Sequence, residues 1–216
     1  EEPKYNIRGE YIMKRLFEKN IIESYNKKAI ERNSSVIQDW KINERENFLN
    51  YIHSESFSSL LEIGAGPGKD SLYFKEQGLN TFSIDLSPEM IKLCKEKGLN
   101  SDVMSFYNLH FPNNHFDSIY ALNCLLHVPK KDIKRVLNEI KRVLKPSGLF
   151  YLGVYGGENS EGVWEGDHYT PKRFFSFYED ESLKELLSEF FLIEYFELVP
   201  KVFGKHHFQS VILKNK

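Results

Sequence analysis

The residues best placed to do chemistry form a short run, Glu62-Ile63-Gly64-Ala65-Gly66-Pro67-Gly68, followed by one acidic residue, Asp85. The glycines follow an apolar stretch, Ser59–Gly64, that has the length and composition of a buried strand, and they precede a polar-apolar stretch of helical character. Glycines at a strand-to-helix junction let the backbone approach a ligand closely, and the helix that follows offers unpaired N–H groups. Asp85 ends the next apolar run, Asn80–Asp85, where a carboxylate can accept hydrogen bonds from a pair of ribose hydroxyls. The ligand should therefore carry a ribose. The dinucleotide fingerprint places a third glycine three residues after the second. Here that position is Lys69, so the fingerprint fails, and the pattern is GxGxG with Glu62 two residues ahead of it. A carboxylate at that place suits a cation better than a pyrophosphate.

Such a loop needs elements to hold it, and the sequence supplies them. Residues 1–58 are polar and helical in texture; from residue 59 short apolar runs alternate with amphipathic stretches, as in a parallel α/β sheet. Strands are expected at 59–64, 80–85, 101–106, 116–122 and 149–155. Ser87-Pro88-Glu89 opens a helix, with Ser87 as cap and Pro88 in the first helical position. Residues 130–145 carry Ile133, Val136, Leu137, Ile140 and Leu144 as one apolar stripe, ended by Pro146 and Gly148. Asp180 is expected to cap a last helix. Residues 190–199 and 207–214 then form a terminal antiparallel hairpin with a connection of about seven residues. The stretch 156–178, rich in glycine and aromatics, reads as an irregular lid. The expected organisation is a helical cap (1–58), a cofactor-binding core (59–155), the lid (156–178), and a helix with hairpin (179–216) that completes the same domain.

Composition narrows the classes. The chain has 216 residues with 41% hydrophobic and 14% aromatic content, enough for a core. Its 29 basic and 31 acidic residues leave a formal charge of -2, which disfavours a general nucleic-acid binder. The longest apolar run is far short of a membrane span, and no secretory signal is visible at EEPKYNIRGE. Cys94 and Cys124 alone build no disulfide framework and fit a reducing, cytoplasmic setting. His206 and His207 have no cysteine or acid at ligand spacing, so no metal site is expected.

The ExGxGxG loop at 62–68 resembles the first motif of the class I S-adenosylmethionine-dependent methyltransferases. FSIDLSPEMI (82–91), FDSIYALNCLLHVPKKD (116–132) and RVLKPSGLFYLGVYG (142–156) are similar to its later motifs, in the same order and at the same spacing. The resemblance covers about residues 59–155 plus the final hairpin. It implies a Rossmann-like three-layer sandwich around a mostly parallel seven-stranded sheet whose last hairpin is antiparallel. It also implies S-adenosylmethionine as cofactor. Around that cofactor it places Glu62, Gly64, Ala65, Gly66, Gly68, Asp85, Leu86, Met90 and Asn123, with Asp85 on the ribose. Many members carry an Asp after strand three that binds the adenine; here Ser105 stands there, so backbone near Met104 and Ser105, or Asp102, is expected to take that part.

The acceptor site falls to the pieces that the cofactor fold leaves over. Tyr25, Trp40 and Arg45 in the helical start, and Trp164, Tyr169 and Arg173 in the lid, with His207, are candidate substrate contacts; Asp167 lies in the same lid. His127, Tyr155 and His168 are candidates for base work. The expected reaction is in-line methyl transfer to a small molecule by a monomer or homodimer. Three alternatives remain open: a methyltransferase acting on tRNA or another nucleic acid, an NAD(P)-dependent oxidoreductase, and a non-catalytic cofactor-binding protein. The first is disfavoured because Asn123-Cys124-Leu125-Leu126 stands where many base-amino methyltransferases have an Asn/Asp-Pro-Pro-aromatic run, and the second because of Lys69.

Overall fold

The computed structural model describes the backbone of residues 7–216 and the side chains of residues 18–200 and 204–216. Two helices, α1 (Ile7–Ser34) and α2 (Asp39–Ser54), precede the alternating part. The latter runs β1 (Ser59–Ile63), α3 (Lys69–Glu76), β2 (Asn80–Asp85), α4 (Pro88–Glu96), β3 (Asn100–Val103), β4 (Phe116–Leu122), α5 (Lys130–Val143) and β5 (Leu144–Gly156). The chain then makes a two-stranded antiparallel sheet, β6 (Ser160–Val163) with β7 (Phe174–Phe177), followed by α6 (Asp180–Ser188), β8 (Phe191–Phe203) and β9 (His206–Asn215).

The main sheet has seven strands in the order β3-β2-β1-β4-β5-β9-β8. β1 pairs in parallel with both β2 and β4, β4 with β5, and β2 with β3, while β9 runs antiparallel between β5 and β8. This is the expected mostly parallel seven-stranded α/β sandwich with its reversed end. The order switches direction between β1 and β4, and in open α/β sheets a ligand crevice opens beyond the carboxyl ends of the strands at such a point.

Strand alternation builds the two sides of the core. On β4, Ile119 and Ala121 face the layer of α5 and α6, while Tyr120 faces α2 and α3. On β5, Phe150, Leu152 and Val154 take the first side, and Leu149 and Tyr151 the second. Of the stripe expected on α5, Ile133, Val136, Leu137 and Ile140 are buried, with Val143 beside them; Leu144 instead opens β5, so the helix ends before Lys145 and Pro146. Ser87 caps α4, its hydroxyl accepting from Met90 N at 3.2 Å, and Pro88 follows it.

Four local expectations change. Residues 156–178 are not wholly irregular, because β6 and β7 pair from Ser160↔Phe177 to Val163↔Phe174. The β8–β9 connection is only Gly204-Lys205, because both strands extend inward to pair Phe203 with His206. β3 runs Asn100–Val103 rather than 101–106, because its parallel pairing with β2 ends at Asp85↔Val103. Asp180 is the first helical residue rather than the cap: its carboxylate accepts from Gln209 Nε2 at 2.6 Å and bonds His207 Nε2 at 2.7 Å.

Candidate active site

At the sheet's switch point, Gly64, Gly66 and Gly68 all take positive φ, 69°, 54° and 78°. The first two matter most for the site. A Cβ on Gly64 would stand 2.3 Å from Cys124 Cβ, because the end of β4 crosses directly against the turn. Gly64 N and Ala65 N both donate to Ile84 O, at 2.8 and 3.0 Å, which ties the loop to β2. Gly66 N donates to Asp85 Oδ2 at 2.9 Å and Ser87 N to Asp85 Oδ1 at 2.8 Å, so the carboxylate is held by backbone from both flanking loops. Burial raises the Asp85 carboxyl above its usual range, and those N–H bonds and nearby Arg32 work against the rise.

These residues border a cavity of about 450 Å³, in the size range of small-molecule sites. Its wall contains Gly64, Gly66, Asp85, Leu86, Met104 and Asn123 from the expected cofactor set, and Tyr25 and His127 from the expected acceptor and base sets. Met104 N donates to Asp85 O at 3.1 Å, which brings the chain after β3 to the cavity edge. Asn123 takes φ 55°, and its Nδ2 donates to Tyr155 OH at 3.4 Å. Its Oδ1 is shielded from solvent without a hydrogen-bond partner.

The other expected site residues stand outside the cavity wall. Glu62 shares its strand face with Leu60, the side covered by α3, and accepts there from Ser71 Oγ; burial and then Asp70 push its carboxyl well above the usual range. Ala65 packs with Ile91, Cys94 and Leu99, and Gly68 sits where a Cβ would strike Leu99 and Cys94. Met90 packs with Ala29 and Leu93 beneath α1. Ser105 turns into its own loop, its Oγ accepting from Tyr107 N at 3.3 Å, and Asp102 does likewise, accepting from Val103 N at 2.8 Å. Tyr155 lies edge-on to Phe208, with ring centroids 5.7 Å apart. His168 is exposed beside Tyr169. Trp40 packs on Phe208, and Arg45 pairs with Asp70 at 3.0 Å and stacks on Tyr73 at 3.8 Å, because α2 covers the face of the sheet rather than its carboxyl end. His207 is taken by Asp180, and Trp164 is edge-on to Phe175.

Arg173 and Tyr169 act one layer behind the wall. Asp167 grips Arg173 in a two-pronged pair, Nε to Oδ2 and Nη2 to Oδ1, both 2.9 Å, and Arg173 N also donates to Oδ2 at 2.9 Å. Burial alone would raise the Asp167 carboxyl; the Arg173 bonds hold it below its usual value. Arg173 lies 3.6 Å above the Tyr169 ring, and its Nη1 donates to Tyr25 OH at 3.0 Å. Tyr25 OH in turn meets His127 Nε2 at 2.8 Å, while His127 Nδ1 lies 2.7 Å from Phe174 O. A carbonyl only accepts, so Nδ1 carries the imidazole proton and Nε2 accepts from Tyr25. Burial, with a contribution from Arg173, lowers the His127 pKa to about 3, so the ring is neutral near neutral pH.

Several wall residues have no role readable from the sequence: Glu18, Arg32, Phe106, Tyr107 and Glu161, and Asp132, which closes the 116–132 motif without an assigned part; Phe174, readable either as a core aromatic or as a substrate wall, lines the cavity. The available signals were weak ones. Arg32 is two helical turns after Tyr25, on the same face of α1, and Asp132 stands in the first turn of α5, where a carboxylate is favoured.

A family model described as a methyltransferase domain matches residues 61–152. The chain is 24% identical over 196 residues to a phosphoethanolamine N-methyltransferase of Plasmodium falciparum, covering 87% of this chain and 68% of that enzyme. It is 30% identical over 102 residues to a ubiquinone biosynthesis O-methyltransferase of Xanthomonas oryzae, covering 44% of this chain and 42% of that one. Among solved structures, a 1,6-didemethyltoxoflavin-N1-methyltransferase of Burkholderia thailandensis, with S-adenosylhomocysteine bound, superposes with a TM-score of 0.62 at 20% identity, over 85% of this chain and 92% of that one. A methyltransferase structure from Methanosarcina mazei gives a TM-score of 0.66 at 23% identity, over 74% and 92%. The residues present fit S-adenosylmethionine as cofactor: Asp85 offers a held carboxylate to a ribose, and Asn123 offers the wall an acceptor oxygen without a donor. A glycine turn closed against Cys124, an acid-tipped second strand and a reversed last strand, with a methyltransferase-domain model matching residues 61–152, together support a class I S-adenosylmethionine-dependent methyltransferase.

Proposed function

We propose that the protein methylates a small molecule at an amine nitrogen. The observation that carries this is the character of the cavity beyond the cofactor residues. Its wall combines aromatic rings (Tyr25, Phe106, Tyr107, Phe174) with carboxylates (Glu18, Asp132, Glu161). Aromatic faces and carboxylates together attract an ammonium-bearing molecule. Tyr107 OH reaches Asp132 Oδ2 at 3.4 Å, and burial, then Asp132 and Glu18, push that phenol well above its ordinary range. The cavity is roofed by α1 through Tyr25 and is of small-molecule size, which favours a free metabolite over a nucleic acid. The Plasmodium relative named for phosphoethanolamine N-methylation supports the same class.

S-adenosylmethionine, when bound, supplies an electrophilic methyl group for in-line displacement. The chain's own work is positional. Orientation of two reactants supplies about 7–11 kcal/mol of such a barrier. Asp85 would hold the ribose, with Gly64 and Asn123 lining the same cavity. Tyr25, fixed between Arg173 and His127, presents its remaining oxygen lone pair to the cavity as an acceptor for an N–H of the substrate. His127 is a weak base at a pKa of about 3, so its part is to hold Tyr25 rather than to store a proton. The fork between Asp167 and Arg173 keeps the lid segment in register with α1.

The test is a panel of primary and secondary amines, phenols, thiols and unmodified tRNA, each incubated with methyl-labelled donor. Label should enter small amines. Transfer confined to phenols or thiols, or to RNA, overturns the reading.

A further inference from the structure

Arg32 is the one arginine in the cavity wall, and no carboxylate pairs with it among the described residues. Its Nη1 donates to Tyr169 OH at 3.2 Å, its guanidinium lies 5.3 Å from the Tyr25 ring centroid, and its Nε is shielded from water with no hydrogen-bond partner. A shielded guanidinium without an anion is costly to keep, and its planar fork matches a carboxylate. Position adds to this. Arg32 Nη2 comes within 3.9 Å of where a Cβ on Gly66 would stand, over the glycine turn, and it lines the same cavity as Gly64, Gly66 and Asp85.

We infer that Arg32 receives the carboxylate of the cofactor's methionine portion, and that by doing so it fastens α1 over the site before the acceptor is methylated. The methionine portion carries one carboxylate and one ammonium. The wall offers a guanidinium lacking an anion and, at Asn123 Oδ1, an acceptor lacking a donor. Adenosine alone satisfies neither. The second half of the inference follows from the helix. Tyr25 is two turns ahead of Arg32 on α1, and Tyr169 touches both the guanidinium of Arg32 and, through ring stacking, Arg173. A ligand that fixes Arg32 therefore also fixes the tyrosine that faces the acceptor.

Calorimetry with S-adenosylhomocysteine and with 5′-methylthioadenosine, which keeps the adenosine and sulfur but lacks the amino-acid end, tests this without turnover. Wild-type protein should prefer S-adenosylhomocysteine. Arg32→Met should erase about 10- to 100-fold of that preference while leaving 5′-methylthioadenosine within about twofold of wild type, the loss expected for a charge-assisted pair. Arg32→Lys, which keeps the charge without the fork, should fall between and serves if the Met variant does not fold. Hydrogen exchange adds the second readout: S-adenosylhomocysteine should protect the amides of residues 20–34, and 5′-methylthioadenosine should not. An unchanged preference, or equal loss of both ligands in a folded variant, overturns the inference. Wild-type protein that binds neither ligand would instead remove the cofactor reading and this inference with it.

Discussion

Replacing Gly64 by Ala puts the tightest approach in the site under direct load. Two costs can be worked separately. The backbone at Gly64 has φ 69°, and an L-residue in that region costs about 1–2 kcal/mol. The new Cβ would also lie 2.3 Å from Cys124 Cβ and 3.0 Å from its Sγ. Cys124 cannot simply swing away, because it belongs to the backbone turn at the end of β4 and its Sγ bonds Ile63 O at 3.1 Å. Overpacking of this kind costs about 1–3 kcal/mol. The sum is about 2–5 kcal/mol of unfolding free energy, read by urea denaturation, with weaker S-adenosylhomocysteine binding by calorimetry. Cys124→Gly in the same chain removes the atom that is struck. The double variant should recover the collision part, giving a coupling of about 1–3 kcal/mol in the cycle, and retain only the backbone part. A Gly64→Ala protein as stable as wild type, or a double variant showing no coupling, would refute this account of why the turn is glycine.

Asp85→Asn keeps the shape but leaves one oxygen to serve the N–H groups of Gly66 and Ser87, so its NH₂ must face a donor. S-adenosylhomocysteine should bind about 1.5–3 kcal/mol more weakly, and wild-type binding should weaken as pH falls and Asp85 gains a proton; calorimetric affinity equal to wild type would remove the ribose role. Glu44, buried on α2 and accepting from Ser210 Oγ and Tyr151 OH, has its carboxyl raised by burial. A carboxyl raised in the fold stabilises below its unfolded pKa and loses that contribution as pH rises through the folded value. Glu44→Gln should therefore lose less melting temperature than wild type as pH rises above the usual carboxylate range, and parallel melting curves would contradict the sign.

Local signals made the glycine-turn side of the cavity readable. Gly64, Gly66 and Asp85 lie within one strand–turn–strand stretch, and backbone sterics alone require glycine where φ is positive and a chain end crosses at van der Waals distance. Period-two alternation and the α5 stripe likewise set the two-sided sheet. Glu62 shows the limit of that reading: its type and spacing suggest a partner for a cation, yet alternation turns it under α3 to Ser71. The wall built by α1 and its partners was beyond a linear reading because its contacts close across long separations. Tyr25 meets His127 over 102 positions and Arg173 over 148, and Arg32 meets Tyr169 over 137. Trp40 and Arg45 have the same residue character as Tyr25 and Arg32, and only the packing of α2 on the sheet face and of α1 over the crevice separates one pair from the other. Sequence alone thus determined the sheet, the glycine turn and the acid that answers it, since each follows from neighbours along the chain. The choice of which tyrosine, which arginine and which histidine share a cavity belonged to the tertiary structure, where burial withdraws water and leaves each polar group dependent on partners brought from distant segments.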